Sequence, residues 1–135
     1  HAPNSPIMVD VDPRRIKRII RNLISNALDH RENQRVDVQI AESENEVSVG
    51  VRDYGSGFNY TDRKMLFERF WRADSSRARS TGGTGLGLSI SLEDAKLHQG
   101  EIEVWGERGR GAHFVLTIPK YAGGSIESRP ISAQL

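Results

Sequence analysis

Residues 12–28 read DPRRIKRIIRNLISNAL, and the whole architecture can be built outward from them. Asp12 offers a side-chain acceptor to the unpaired amides of a first helical turn. Pro13 suits the first helical position, where its missing N–H is not needed. Ile16, Ile19, Ile20, Leu23, Ile24, Ala27 and Leu28 then recur at steps of three and four, the period of an amphipathic helix. A helix with one apolar stripe must bury it against a second layer, and the flanking sequence supplies strands for that layer.

Upstream, residues 7–11 alternate well enough for a short strand, after a proline-containing lead-in over 1–6. Downstream, Val36, Val38 and Ile40 alternate with polar residues, as do Val47, Val49 and Val51, with Glu44-Asn45 as the hairpin turn between them. A turn containing Asp53, Gly55 and Gly57 follows, then a short helix near 62–70. Residues 71–85 have neither period and form a stretch long enough to be a functional lid or disorder. Residues 86–99 read as a helix with Leu88, Leu92, Ala95 and Leu97 on its apolar side and Gly100 as its stop. Residues 101–106 and 112–119 make a final antiparallel pair, and the chain from Tyr121 on reads as a flexible tail. The result is a two-layer α/β sandwich in one domain, residues 7–120.

Composition narrows the function. The chain has 135 residues and no cysteine, which excludes disulfides, thiolate metal sites and cysteine nucleophiles. Nineteen basic against eighteen acidic residues leave a formal charge of +1, so no global field points to nucleic acid or an acidic membrane. No apolar run approaches the roughly 20 residues of a membrane-crossing helix.

Four groups of residues could carry chemistry. Asn22 and Asn26 lie about 40° apart on one edge of the helix stripe, with Asp29 close by, and an amide oxygen is a donor a hard cation accepts. They could equally be solvated polar residues flanking a core face. Asp53-Tyr54-Gly55-Ser56-Gly57 combines a strand-end carboxylate able to accept from an exocyclic amine with glycines that let a ligand approach, though an ordinary turn has the same composition. Gly82-Gly83-Thr84-Gly85-Leu86-Gly87 opens onto a helix, where free backbone amides and the positive dipole end favour phosphate. It has no P-loop lysine and does not begin a strand-first dinucleotide unit. Between these, Phe67, Phe70 and Trp71 accompany Arg69, Arg72, Arg77 and Arg79, an arginine excess that suits a polyphosphate.

In this order the groups resemble the N box, first glycine box, F box and second glycine box of the catalytic ATP-binding domain of sensor histidine kinases. The resemblance covers about residues 12–119. It implies the Bergerat α/β sandwich, a mixed, mainly antiparallel sheet packed on about three helices. It also implies ATP and Mg2+ as ligands. By that similarity Asn26 coordinates magnesium and Asn22 sits by the phosphates. Asp53 accepts the adenine amine, with Gly55 and Gly57 making room for the base. Gly83, Thr84, Gly85, Leu86 and Gly87 border the triphosphate, Arg72 reaches it from the lid, and Phe67 and Phe70 anchor that lid.

Related hydrolysing ATPases place glutamate where Asn22 stands. An amide cannot act as a general base, which favours phosphoryl transfer to a protein over hydrolysis. Asp29 departs from the lysine common in the family, and His30 is unremarkable there. None of His1, His30, His98 or His113 has the context of an acceptor histidine. The expected partners are therefore a separate dimerisation domain carrying that histidine and a response regulator, with no nucleic acid and no direct membrane contact. The expected setting is the cytoplasmic part of a membrane-anchored sensor. A nucleotide-gated docking switch and an ATP-hydrolysing clamp remain the alternatives, the second disfavoured by Asn22.

Overall fold

A computed structural model describes residues 2–31, 33–59, 65–67 and 87–134, apart from the side chain of Phe67. The first helix, α1, runs Pro13–His30, and the Asp12 carboxylate caps it by accepting from the Arg14 amide at 3.0 Å. Ile19, Leu23 and Ala27 are buried along its stripe, while Leu28 at the end of the same series is exposed.

Strands β1 (Val36–Glu42) and β2 (Glu46–Asp53) form the expected hairpin, closed by the Ser43 amide on the Glu46 carbonyl at 2.9 Å. A 3-10 turn, Met65–Phe67, and helix α2, Gly87–Leu97, precede β3 (Glu101–Glu107) and β4 (Gly111–Pro119). Leu97, expected on the apolar side of α2, stands exposed. The sheet order is β1-β2-β4-β3, and every pairing among the described residues is antiparallel where the resemblance implied a mixed sheet.

Residues 7–11 are not a strand. One backbone bond, from the Asp10 amide to the Lys120 carbonyl at 2.8 Å, ties them to the end of β4, too little for a ladder. Ile7, Val9 and Val11 nevertheless pack on the core.

The inner sheet face packs on the helices. Register places Val47 opposite Ile118, Val49 opposite Leu116 and Val51 opposite Phe114, with Ile102 and Val104 continuing across β3. All of these side chains except Val49 meet Ile19, Leu23 and Ala95 in one core.

The outer face carries a third layer. The segment 124–134, read from composition as flexible, lies against the sheet and forms a second apolar cluster in which Ile131 and Ala133 cover Trp105 and Val115. The buried Glu46 carboxylate accepts from the Glu127 amide at 2.8 Å, the Ser128 amide at 3.3 Å and the Ser128 hydroxyl at 2.9 Å. Near the other end, the Ala133 carbonyl accepts from His113 Nδ1 at 2.9 Å. Polar residues on the outer face of β2 are therefore buried: Ser48, fully covered, bonds Thr117 at 2.7 Å. No helix among the described residues is long and apolar enough to cross a membrane.

Candidate functional site

Asn22 and Asn26 both lie half-buried beside the α1 stripe. The Asn22 amide nitrogen donates to the Gly87 carbonyl at 3.2 Å and to Ser91 Oγ at 3.1 Å, so this side chain grips the first turn of α2. A carbonyl acceptor fixes which end of the amide is nitrogen, leaving the Asn22 oxygen as its remaining polar atom. The side chain of Asn26, one turn further on, has no hydrogen-bond partner among the described residues. Asp29, the family departure, is half-buried near the end of the helix.

Asp53 ends β2 and is 1% exposed. Its Oδ1 accepts from the Gly55 amide at 3.0 Å, an Asx-type closure that turns the chain sharply out of the sheet. The glycines of this turn answer to the fold itself. A Cβ on Gly55 would lie 1.5 Å from the His30 carbonyl oxygen, so this turn sits directly on the C-terminal end of α1. Gly57 has φ +68°, and a Cβ there would lie 2.0 Å from the Glu107 carbonyl oxygen of the β3–β4 turn. Room for a ligand was the sequence-based reason for these glycines; close backbone packing is the reason visible in the structure.

Outside the strand end, Arg52 is locked between aromatic rings. Its guanidinium stands 4.6 Å from the Tyr54 ring centre and 4.9 Å from that of Trp105, and its Nη2 donates to the Arg110 carbonyl at 2.7 Å. Tyr54 in turn donates to Asp37 at 2.8 Å. This scaffold holds the Asp53 turn from behind, and nothing in the strand's alternation announced it.

The structure thus ranges the described candidates along α1. Gly87 meets Asn22, Asn26 follows, and the Asp53–Gly55 turn meets His30. At about 1.5 Å per residue, the eight residues from Asn22 to His30 span about 12 Å. Arg72, Phe70, Gly83, Thr84, Gly85 and Leu86 lie outside the described residues, as does the side chain of Phe67.

Sequence reasoning missed a polar connection between the two helices. The Asp94 carboxylate, 2% exposed, accepts from Arg15 Nη1 at 2.8 Å, Arg18 Nε at 2.8 Å and Arg18 Nη2 at 2.9 Å. The Arg18 fork, more than its burial, sets its acidity and holds it below the ordinary carboxylate range. His98 Nδ1 lies 2.8 Å from the Asp94 carbonyl, while Nε2 accepts from the Asp12 amide at 3.1 Å. Those two partners assign the neutral, Nδ1-protonated tautomer. An aspartate and two arginines at isolated helix positions read as solvated charge, and no local signal marks them as partners.

Comparison with known proteins identifies the family. Residues 11–122 match the family described as histidine kinase-, DNA gyrase B-, and HSP90-like ATPase. The sensor histidine kinase MtrB of Mycobacterium leprae is 51% identical over 129 residues, covering 96% of this chain and 23% of that protein. The chain therefore spans about a quarter of the length of such curated relatives. The solved mycobacterial sensor histidine kinase MprB superposes with a TM-score of 0.73 at 28% identity, over 84% of this chain and 78% of that one. Full-length ShkA in complex with AMPPNP gives 0.73 at 28% identity, over 94% of this chain and 25% of that one. With motif order, sandwich topology and these similarities in accord, the chain belongs to the histidine kinase-, DNA gyrase B-, and HSP90-like ATPase family, as a catalytic ATP-binding domain of the sensor histidine kinase kind.

Proposed function

We propose that this chain binds ATP with magnesium and transfers the γ-phosphoryl group to a histidine on a separate dimerisation domain, for relay to a response regulator. The observation that carries the proposal is the contact of Asn22 with Gly87, the last residue of the second glycine motif. Adenine would sit at the Asp53 end of α1, its amine donating to the carboxylate, and the phosphates at the Asn22 end. The span of about 12 Å suits an extended nucleoside triphosphate. The AMPPNP complex of ShkA supports nucleotide binding by this architecture.

The Asn26 amide fits a magnesium ion: it is half-buried, has no hydrogen-bond partner among the described residues, and offers the oxygen such an ion takes. Bound there, the ion would neutralise phosphate charge. Asn22 holds α2 with its nitrogen and offers only an amide oxygen to solvent or ligand, so it cannot deprotonate a water. Gly83, Thr84, Gly85, Leu86 and Arg72 are proposed to enclose the triphosphate. Catalysis would rest on positioning and charge neutralisation. In the whole protein the domain would lie on the cytoplasmic side of a membrane-anchored sensor.

The test is transfer in trans. Mixed with the dimeric histidine domain of its own sensor and labelled ATP, the chain should place acid-labile, base-stable label on that domain, slowly because no linker supplies effective concentration. Asn26→Ala should abolish the label and weaken nucleotide binding more with magnesium than without. Tight ATP binding with no label would leave a switch, and rapid phosphate release by the chain alone would leave a hydrolase.

A further inference from the structure

The contacts between α1 and α2 run in opposite order along the two helices. Asp12 meets His98, Arg15 and Arg18 meet Asp94, and Asn22 meets Ser91 and Gly87. The helices are thus antiparallel, joined by three polar rungs beside an apolar seam that includes Ile19, Leu23, Leu88, Leu92 and Ala95.

The two kinds of contact have different consequences. Apolar contact is non-directional and tolerates sliding of one helix along another. Directional bonds to a buried charge do not. Arg18 engages both oxygens of Asp94 in a fork and Arg15 adds a third bond, while the two arginine side chains are 43% and 50% exposed, Arg15 first. An apolar residue at position 94 would serve stability as well, since burying an ion pair gains little or nothing over good packing. Register is the best-attested use of such a pair.

We infer that Asp94, held by Arg15 and Arg18, is a positioning residue that sets the axial register of α2 on α1 and thereby the place of Gly87 beside Asn22, at the phosphate end of the nucleotide site. A slip of one residue moves Gly87 by about 1.5 Å, and one turn by about 5.4 Å. Displacements of that order are enough to weaken contacts to a triphosphate severely. The Asp53 turn rests on the other end of α1 and on the β3–β4 turn, away from α2, so adenine recognition should be indifferent to the register. This inference rests on the ATP-binding reading above.

Two variants test it in the 135-residue chain. Asp94→Leu replaces the buried charge with packing, and Arg18→Lys keeps the charge but removes the fork. Titration with MgATP should show affinity reduced about tenfold or more in Asp94→Leu and by less in Arg18→Lys, with adenosine affinity within about twofold of wild type in both. In nucleotide-free protein the Asn22 side-chain amide hydrogens, protected in the wild type by Gly87 and Ser91, should exchange freely in Asp94→Leu. Folded Asp94→Leu that keeps both MgATP affinity and Asn22 protection would overturn the inference. So would parallel losses of MgATP and adenosine affinity that track the melting temperature. A wild-type chain that fails to bind MgATP would refute the proposed function instead, and the Asn22 protection would then decide the register question alone.

Discussion

At the scale of single residues, Asp53 has two tasks that one substitution can separate. Its carboxylate closes the turn through the Gly55 amide and, in the proposed site, accepts the adenine amine. Asp53→Asn keeps an oxygen for Gly55 while setting a donor where an acceptor is wanted. ATP affinity should fall by about 1–3 kcal/mol, the cost of leaving a polar group unpaired, with the melting temperature little changed. Calorimetric titration and thermal unfolding check the two halves. Asp53 itself was legible in the sequence as a strand-end carboxylate before glycines. The steric demand on Gly55 was not, because the His30 carbonyl that it clears is 25 positions away and is brought there only by the fold. Asn22 was legible as a member of the pair on the stripe edge, but its grip on Gly87 and Ser91 was not, since a helical period says which face a residue occupies and nothing of what meets it.

At the scale of elements, the periodicities identified α1, α2 and the four strands among the described residues, and the helix cap and hairpin turn stand where Asp12 and Glu44-Asn45 indicated. Two departures lie in segments near the chain ends. Residues 7–11 alternate but find a single backbone partner, and 124–134 pack without forming any regular element. Ile131 is the apolar anchor of that outer segment, 7% exposed against Trp105 and Val115. Ile131→Ala should destabilise the chain by about 2 kcal/mol, the low end for a buried isoleucine because its cluster is small. MgATP affinity should not change, since the helices that carry the site pack on the opposite sheet face. Denaturant unfolding followed by titration of the same variant tests both statements.

At the scale of the whole molecule, three titratable groups beneath the outer segment couple its attachment to pH. Burial lowers the His113 pKa from 6.5, with Arg52 contributing, against a raising effect of its bond to Ala133. The Ser43 hydroxyl and the Glu127 amide, with further bonds from Ser128, hold Glu46 down at about 2 against an ordinary 4.5. Glu103 is pushed up from 4.5, chiefly by burial and secondarily by Glu101. A depressed histidine loses folding stability as pH falls below 6.5, because the unfolded chain takes the proton that the folded one resists. Glu46 contributes stability that is full above 4.5 and lost as pH falls towards 2. Glu103 opposes them, contributing stability in acid that is lost as pH rises through its raised value. Unfolding free energy should therefore decline in two stages on acidification, and His113→Gln should flatten the first stage while leaving the second. Denaturant titrations at successive pH values measure this directly.

Residue order alone was enough for whatever depends on near neighbours along the chain: the amphipathic period of α1, the alternation of the strands, the turn chemistry, and the succession of four short motifs that together indicate the family. Tertiary structure alone decided what depends on residues distant in sequence. Asp94 finds its arginines 76 and 79 positions away, Glu46 its amides 81 and 82 positions away, and His113 its carbonyl across the outer face. In each case a charged or polar side chain that reads as solvated is buried by a segment carrying its hydrogen-bond partner. Burial and partner are properties of the folded surface, and no local pattern of residue types encodes them.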